Sequence, residues 1–200
     1  MTGENTAFSK RLLAFIIDMI ILGIASSILT FPFSNTENYK KLTKESTQVM
    51  EDYLDKKITP ETYLSRSSDI SYDLSKEIGL KTIITIGIYI LYFIVYQFYN
   101  NGKTLGKKLM KIRIVSDNDK GELSMNQIAV RSLIINSILV NLITLSVTIF
   151  GTKDVYFITS MVMQVLDMIL MFTIAIMILS REDKRGLHDI ITHTKVINEE

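Results

Sequence analysis

Four apolar stretches constrain this chain more than any other feature, at roughly residues 11–33, 79–99, 127–150 and 155–179. Each approaches the ~20 residues an α-helix needs to cross a hydrocarbon core about 30 Å thick. A segment in lipid must satisfy its own backbone polar groups, and runs of this length do so as helices. The expected fold is therefore all-α: a polytopic membrane bundle of four transmembrane helices in one domain over residues 1–200. Lys10 and Arg11 precede the first stretch as they would in a signal peptide. That stretch is longer than an ordinary h-region, carries Asp18, and is followed by no small-x-small cleavage site, so it is expected to be retained.

Lys and Arg set the orientation. They crowd the N-terminus (Lys10, Arg11), the connector 100–126 (Lys103, Lys107, Lys108, Lys111, Arg113, Lys120) and the tail 180–200 (Arg181, Lys184, Arg185, Lys195). The positive-inside rule places these three segments in the cytoplasm, giving both termini inside. The insertion 34–77 then lies outside, with seven Lys/Arg against nine Asp/Glu. Its near-helical apolar spacing, and Thr59-Pro60-Glu61 as an N-cap followed by Pro at the first helical position, predict an outer helical hairpin.

In the connector, Lys103, Lys107, Lys108 and Lys111 interleave with Leu105, Leu109 and Ile112. This spacing suits a short interfacial helix meeting anionic lipid headgroups. "KIRIV" alternates like a strand, and "THTKVI" in the tail would supply its partner in a small cytoplasmic β pairing. Ser124 followed by Gln127 reads as a capping box opening the third membrane helix.

Each membrane helix carries a polar seam. Asp18 lies seven residues after Arg11, on the same helical face and about 10.5 Å further along the axis. The second helix places Thr82, Thr85, Tyr89, Tyr92, Tyr96 and Tyr99 on one stripe. Arg131, Ser137, Asn141, Thr144 and Thr148 line the third, and Ser160, Gln164 and Asp167 the fourth. A carboxylate this deep costs about 2.5–3.5 kcal/mol on insertion scales, so each should face the bundle and find a partner. Arg11 and Arg131 are the candidate partners of Asp18. Asp167 has no cation at its level and is a group that would trade a proton for a cation. Such stripes also serve as interhelical glue, and the residues alone leave both readings open.

Other chemistries find little support. Cys is absent and there are two histidines, which removes disulfides and thiolate metal sites. A net charge of +1 gives no field for nucleic acid. "NNGKTLG" contains the Gly-Lys-Thr of a phosphate loop, but Gln97 stands where its first glycine belongs. His188-Asp189 and His193 lack a third ligand or a nucleophile, so they are expected to be solvated or hydrogen-bonded tail residues. No enzyme, metal site or cofactor is expected.

Three segments, "FSKRLLAFIIDMIIL", "YQFYNNGKTLGKKLMKIRIV" and "KRGLHDIITHTKVI", together resemble the RDD family of small bacterial membrane proteins. The resemblance assigns Arg11, Asp18 and, in "GLHD", Asp189 beside His188 to the family signature. Gly102, Thr104, Gly106 and Lys107 match its glycine-containing segment. It implies a multi-pass protein of the bacterial cell membrane and, for some members, monovalent cation/proton exchange. It also suggests a charge cluster Asp18–Arg11–Asp189 near the inner surface. Asp167 has no assigned family position.

The leading expectation is a small transporter exchanging monovalent cations for protons. Asp18 and Asp167 would carry the ions, Asn141, Gln164 and Ser160 would serve as neutral oxygen ligands, and Arg131 would tune the carboxylates. Four helices leave little room for alternating access, so a homo-oligomer is expected. The rival is a non-transporting regulator or scaffold that binds another membrane protein.

Overall fold

The computed structural model describes residues 6–33, 36–117 and 122–199. Helix α1 (Phe8–Thr30) closes in a single 3-10 turn, Phe31–Phe33. Helices α2 (Glu37–Leu54) and α3 (Pro60–Glu77) form the expected hairpin. Thr36 and Thr59 cap them by accepting from Tyr39 N and Thr62 N, which satisfies donors that a helix start leaves free. Helix α4 (Gly79–Tyr99) widens into a π turn over Leu91–Tyr96.

A five-residue helix, α5 (Leu105–Leu109), leads into strand β1 (Ile112–Ser116). Next come α6 (Met125–Ile135), α7 (Ile138–Phe150), α8 (Lys153–Ser180), the short α9 (Leu187–Ile191) and β2 (Thr194–Asn198). The Ser124–Gln127 capping box opens α6.

Three helices, α1, α4 and α8, are long and apolar enough to cross a membrane, and α6 with α7 makes a fourth if the bent pair counts as one span. The expected single helix over 127–150 is thus corrected: α6 and α7 meet at 68°. Ser137 at the joint has φ of +53°, a left-handed conformation in which no α-helix of L-residues continues. Asn136 and Ser137 favour such interruptions because their side chains compete for backbone hydrogen bonds.

Strands β1 and β2 pair antiparallel with Ile114 opposite Val196. Their alternation turns Ile112, Ile114 and Val196 onto Ala14 of α1. Each such fully buried aliphatic contributes roughly 1.5–3 kcal/mol. Thr6 N donates to Val196 O at 3.1 Å and Lys10 Nζ to Asn198 Oδ1 at 3.1 Å, so both ends of the chain meet at one end of the bundle. At the other, Tyr72 Oη donates to Gly151 O and Lys153 pairs with Asp69, fastening the hairpin to the start of α8. Ile20, Ile24 and Ile28 of α1 and Ile158, Phe172 and Ile176 of α8 are exposed, as the sides of lipid-facing helices are.

Candidate functional site

Asp18 is buried on α1 and receives three short hydrogen bonds, all from neutral donors. Tyr92 Oη (2.6 Å) and Gly106 N (2.7 Å) reach Oδ1, and Thr104 Oγ1 (2.6 Å) reaches Oδ2. Thr104 also caps α5, accepting from Lys107 N, while Tyr92 Oη accepts from Leu105 N at 3.0 Å. The connector "GKTLGK" therefore wraps the carboxylate with backbone and hydroxyl groups. A Cβ on Gly106 would lie 2.1 Å from the Ala14 carbonyl oxygen, so only glycine permits this approach. Gly102 has φ of +80°, and a Cβ there would meet Ile114 O at 2.3 Å.

The expected pairing of Asp18 with Arg11 or Arg131 is replaced by another. Both arginines bind Asp189. Arg11 Nη1 donates to Oδ2 at 2.9 Å, Arg131 Nη1 donates to Oδ1, and Gly186 N donates to Oδ2 at 3.0 Å. Arg131 Nη1 also donates to Thr194 Oγ1 at 3.0 Å. One carboxylate thereby joins α1, α6, α9 and β2. The contact of Asp189 with Arg11 is the one the family resemblance suggested, but both Asp189 and His188 lie deeper than the solvated or hydrogen-bonded tail residues that were expected. They are 0% and 1% exposed, because α9 tucks back against α6 and α8. Burial, reinforced by Arg131, Arg11 and Lys107, holds the His188 imidazole well below its ordinary pKa, so it is neutral.

Beside this cluster lies a cavity of about 70 Å³ whose walls include Arg11, Asp18, Lys107, Arg131 and His188. Burial lowers the Lys107 ammonium to about 8, against the opposing pull of Asp18. The other connector lysines have partners within the chain or are exposed. Lys103 pairs with Glu199 at 2.9 Å, and Lys108 donates to Asn100 Oδ1 at 2.7 Å and to Tyr96 Oη at 3.2 Å. Lys111 is exposed, after α5 has ended. The short helix expected in this connector is present, beginning after Thr104 and lasting five residues.

The fourth helix's acid lies in a different setting. Ser137 Oγ, at the joint between α6 and α7, donates to Asp167 Oδ2 at 2.7 Å, and Asp167 Oδ1 is buried with no hydrogen-bond partner. The expected oxygen ligands do not all gather round it. Gln164 is exposed, Ser160 Oγ donates back to Phe157 O, and Asn141 Nδ2 donates to Ser137 O at 2.9 Å. Asn141 instead lines a cleft of about 280 Å³ with Lys81, Thr82, Thr85, Tyr89 and Ile138. Two of the four polar seams thus share a wall, one helical turn from Ser137. Tyr92 as a donor to Asp18 is the residue that sequence reasoning placed on a stripe without assigning it a partner.

Bilayer-length helices with exposed apolar sides, clamped at one end by buried charge, define a helical membrane protein. The chain belongs to the RDD family, whose model matches residues 6–193. That match spans Arg11, Asp18, the glycine segment and Asp189. Among curated proteins and solved structures, nothing matches the chain.

Proposed function

We propose that this protein is a small transporter of the bacterial cell membrane that exchanges a monovalent cation for protons, with Asp167 as the group that carries either one. The observation behind this reading is the half-satisfied carboxylate beside the broken helix: Ser137 holds one oxygen, and the other is buried and open. A helix break inside a membrane span frees backbone carbonyls, and discontinuous helices of this kind supply oxygen ligands for ions in other transporters. A hard cation favours such oxygens. Proton and cation would compete for the same carboxylate, which is the minimal requirement for exchange. The cleft reaching Asn141 and Ile138 offers access to within a turn of the break.

Asp18 and Asp189 have the opposite character, since both oxygens of each are already engaged. They act as a clamp. The basic end holding both termini is the cytoplasmic one in this reading, in keeping with the positive-inside rule.

The test is proton movement in proteoliposomes driven by Na⁺, K⁺ or Li⁺ gradients. Wild type moves protons, and Asp167→Asn, eluting as the same folded particle, loses at least ten-fold of the rate. Silence of the wild type across all three cations, or undiminished exchange in Asp167→Asn, refutes the reading.

A further inference from the structure

The cavity at the basic end carries a charge that its own residues do not balance. Among the described residues, Arg11, Lys107, Arg131 and Asp18 line it, and Asp189 pairs with both arginines, which leaves a surplus of one positive charge with His188 neutral. The rim carboxylates among the described residues are already taken: Asp117 by Arg185 and Lys195, Asp183 by Arg181, and Glu199 by Lys103 and Arg113. The acceptors inside are spent as well. Asp18 takes hydrogen bonds from Tyr92, Thr104 and Gly106, and Asp189 takes them from two arginines and Gly186.

Donors remain. Arg11 Nε and Nη2 are buried without a hydrogen-bond partner, on a side chain only 9% exposed; both ring nitrogens of His188 also lack a hydrogen bond, with Nε2 3.5 Å from Asp189 Oδ2. A neutral imidazole keeps one N–H to give. Water could satisfy these groups, and about 70 Å³ has room for roughly five molecules at 10–15 Å³ each. Water cannot supply the missing charge. Two buried guanidiniums share the single carboxylate of Asp189, and buried charge left short of a counter-ion is costly.

We propose that this cavity is a binding site for a small inorganic anion of halide size, seated between the free edge of Arg11, the Lys107 ammonium and the N–H of His188. The anion completes the ion balance at the junction of α1, α5, α6 and α9, so it stabilises the clamp. Phe15, Phe93 and Ile178 in the same wall keep the site partly dry and strengthen the attraction. The proposal stands apart from exchange at Asp167, because it concerns a different cavity and is read out without transport.

The experiment uses the full chain in detergent, with sodium chloride replaced stepwise by sodium gluconate at constant ionic strength. Chloride should raise Tm, followed by circular dichroism at 222 nm, in a saturable way, by roughly 5 °C at a hundred-fold excess over Kd. The ³⁵Cl linewidth of the wild type should broaden and be narrowed again by competing bromide. Lys107→Met, which removes the surplus charge, should lose both effects and melt above wild type in gluconate. Lys107→Arg should retain them. Equal Tm in chloride and gluconate with no ³⁵Cl broadening means a cavity holding only water and overturns the proposal. A chloride effect of the same size in Lys107→Met means general screening. A shift that appears only with added phosphatidylglycerol means a lipid phosphate. Either of these also overturns it, and the ³⁵Cl result on wild type decides even if the variants do not fold.

Discussion

Replacing Gly106 with Ala should separate α1 from the connector. The new Cβ would fall 2.1 Å from the Ala14 carbonyl oxygen and 2.8 Å from Asp18 Oδ1. Neither obstacle is a flexible side-chain end, since the first is backbone and the second is held by three hydrogen bonds. Relief requires a retreat of about 1 Å, which stretches the 2.7 Å bond from Gly106 N beyond hydrogen-bond range and strains the one from Thr104. A hydrogen bond to a charged group contributes about 1.5–3 kcal/mol, so losing one and weakening another costs roughly 2–4 kcal/mol.

The control is Gly87→Ala in α4, where a Cβ meets nothing within 4 Å. Helix propensity alone favours that change by up to about 1 kcal/mol. At about 2–4 °C per kcal/mol for a chain of this size, the two variants should differ in Tm by roughly 4–20 °C. The chain has no Trp, so unfolding is followed by far-ultraviolet circular dichroism rather than indole fluorescence. Melting of Gly106→Ala within 2 °C (about the error of such a scan) of Gly87→Ala would refute the close approach.

Asp189→Asn should be more damaging than Arg11→Gln, because it strands two buried guanidiniums whereas the arginine variant leaves Asp189 bound to Arg131; about 3–5 kcal/mol is the usual cost of breaking a buried pair. Denaturant midpoints check the order, and equal losses would deny Asp189 its bridging role. His188 is neutral when folded and takes a proton near pH 6.5 when unfolded, so the unfolded chain binds more protons as the pH falls below that value. Stability should therefore decline from pH 6.5 downward by up to about 1.4 kcal/mol per unit, and His188→Gln should flatten that slope; the same slope in both proteins would place the titration elsewhere.

Much of the frame was legible because its signals are local. Alternation in "KIRIV" and "THTKVI" marks the β pair, Ser124 and Gln127 mark a helix start, and Thr59-Pro60 marks another. The helix break was hidden, since apolar periodicity runs through Asn136-Ser137 without a Gly or Pro to interrupt it. The extent of the connector helix was hidden for a related reason. A helical wheel drawn from Lys103 assumes a helix that begins there, whereas the turn at Gly102 and the cap at Thr104 delay it.

Partner choice among the charges was legible only in part: the resemblance brought Arg11 to Asp189, but nothing indicated Arg131 there. A carboxylate inside an apolar helix must be compensated, and two arginines were at hand, but the compensation of Asp18 comes from a main-chain N–H and two hydroxyls more than seventy residues away. Sequence spacing carries no information on such contacts. The burial of His188 and Asp189 was equally hidden, because "KRGLHD" has the composition of a solvated tail.

The surroundings of Asp18, Asp167 and Asp189 bear on how any transport mutant should be read. Asp18 and Asp189 are consumed by donors that bridge helices, so neutralising either loosens the contact of α1 with the connector or of α1 with α6 and α9. Loss of flux in Asp18→Asn therefore does not by itself identify a carrier, since a bundle that no longer closes would be silent for a structural reason. Asp167 differs in kind: a single hydroxyl holds it, and removing its charge disturbs one hydrogen bond at the α6–α7 joint. A variant that keeps its melting temperature and loses exchange can arise at Asp167, whereas at Asp18 the two losses should come together.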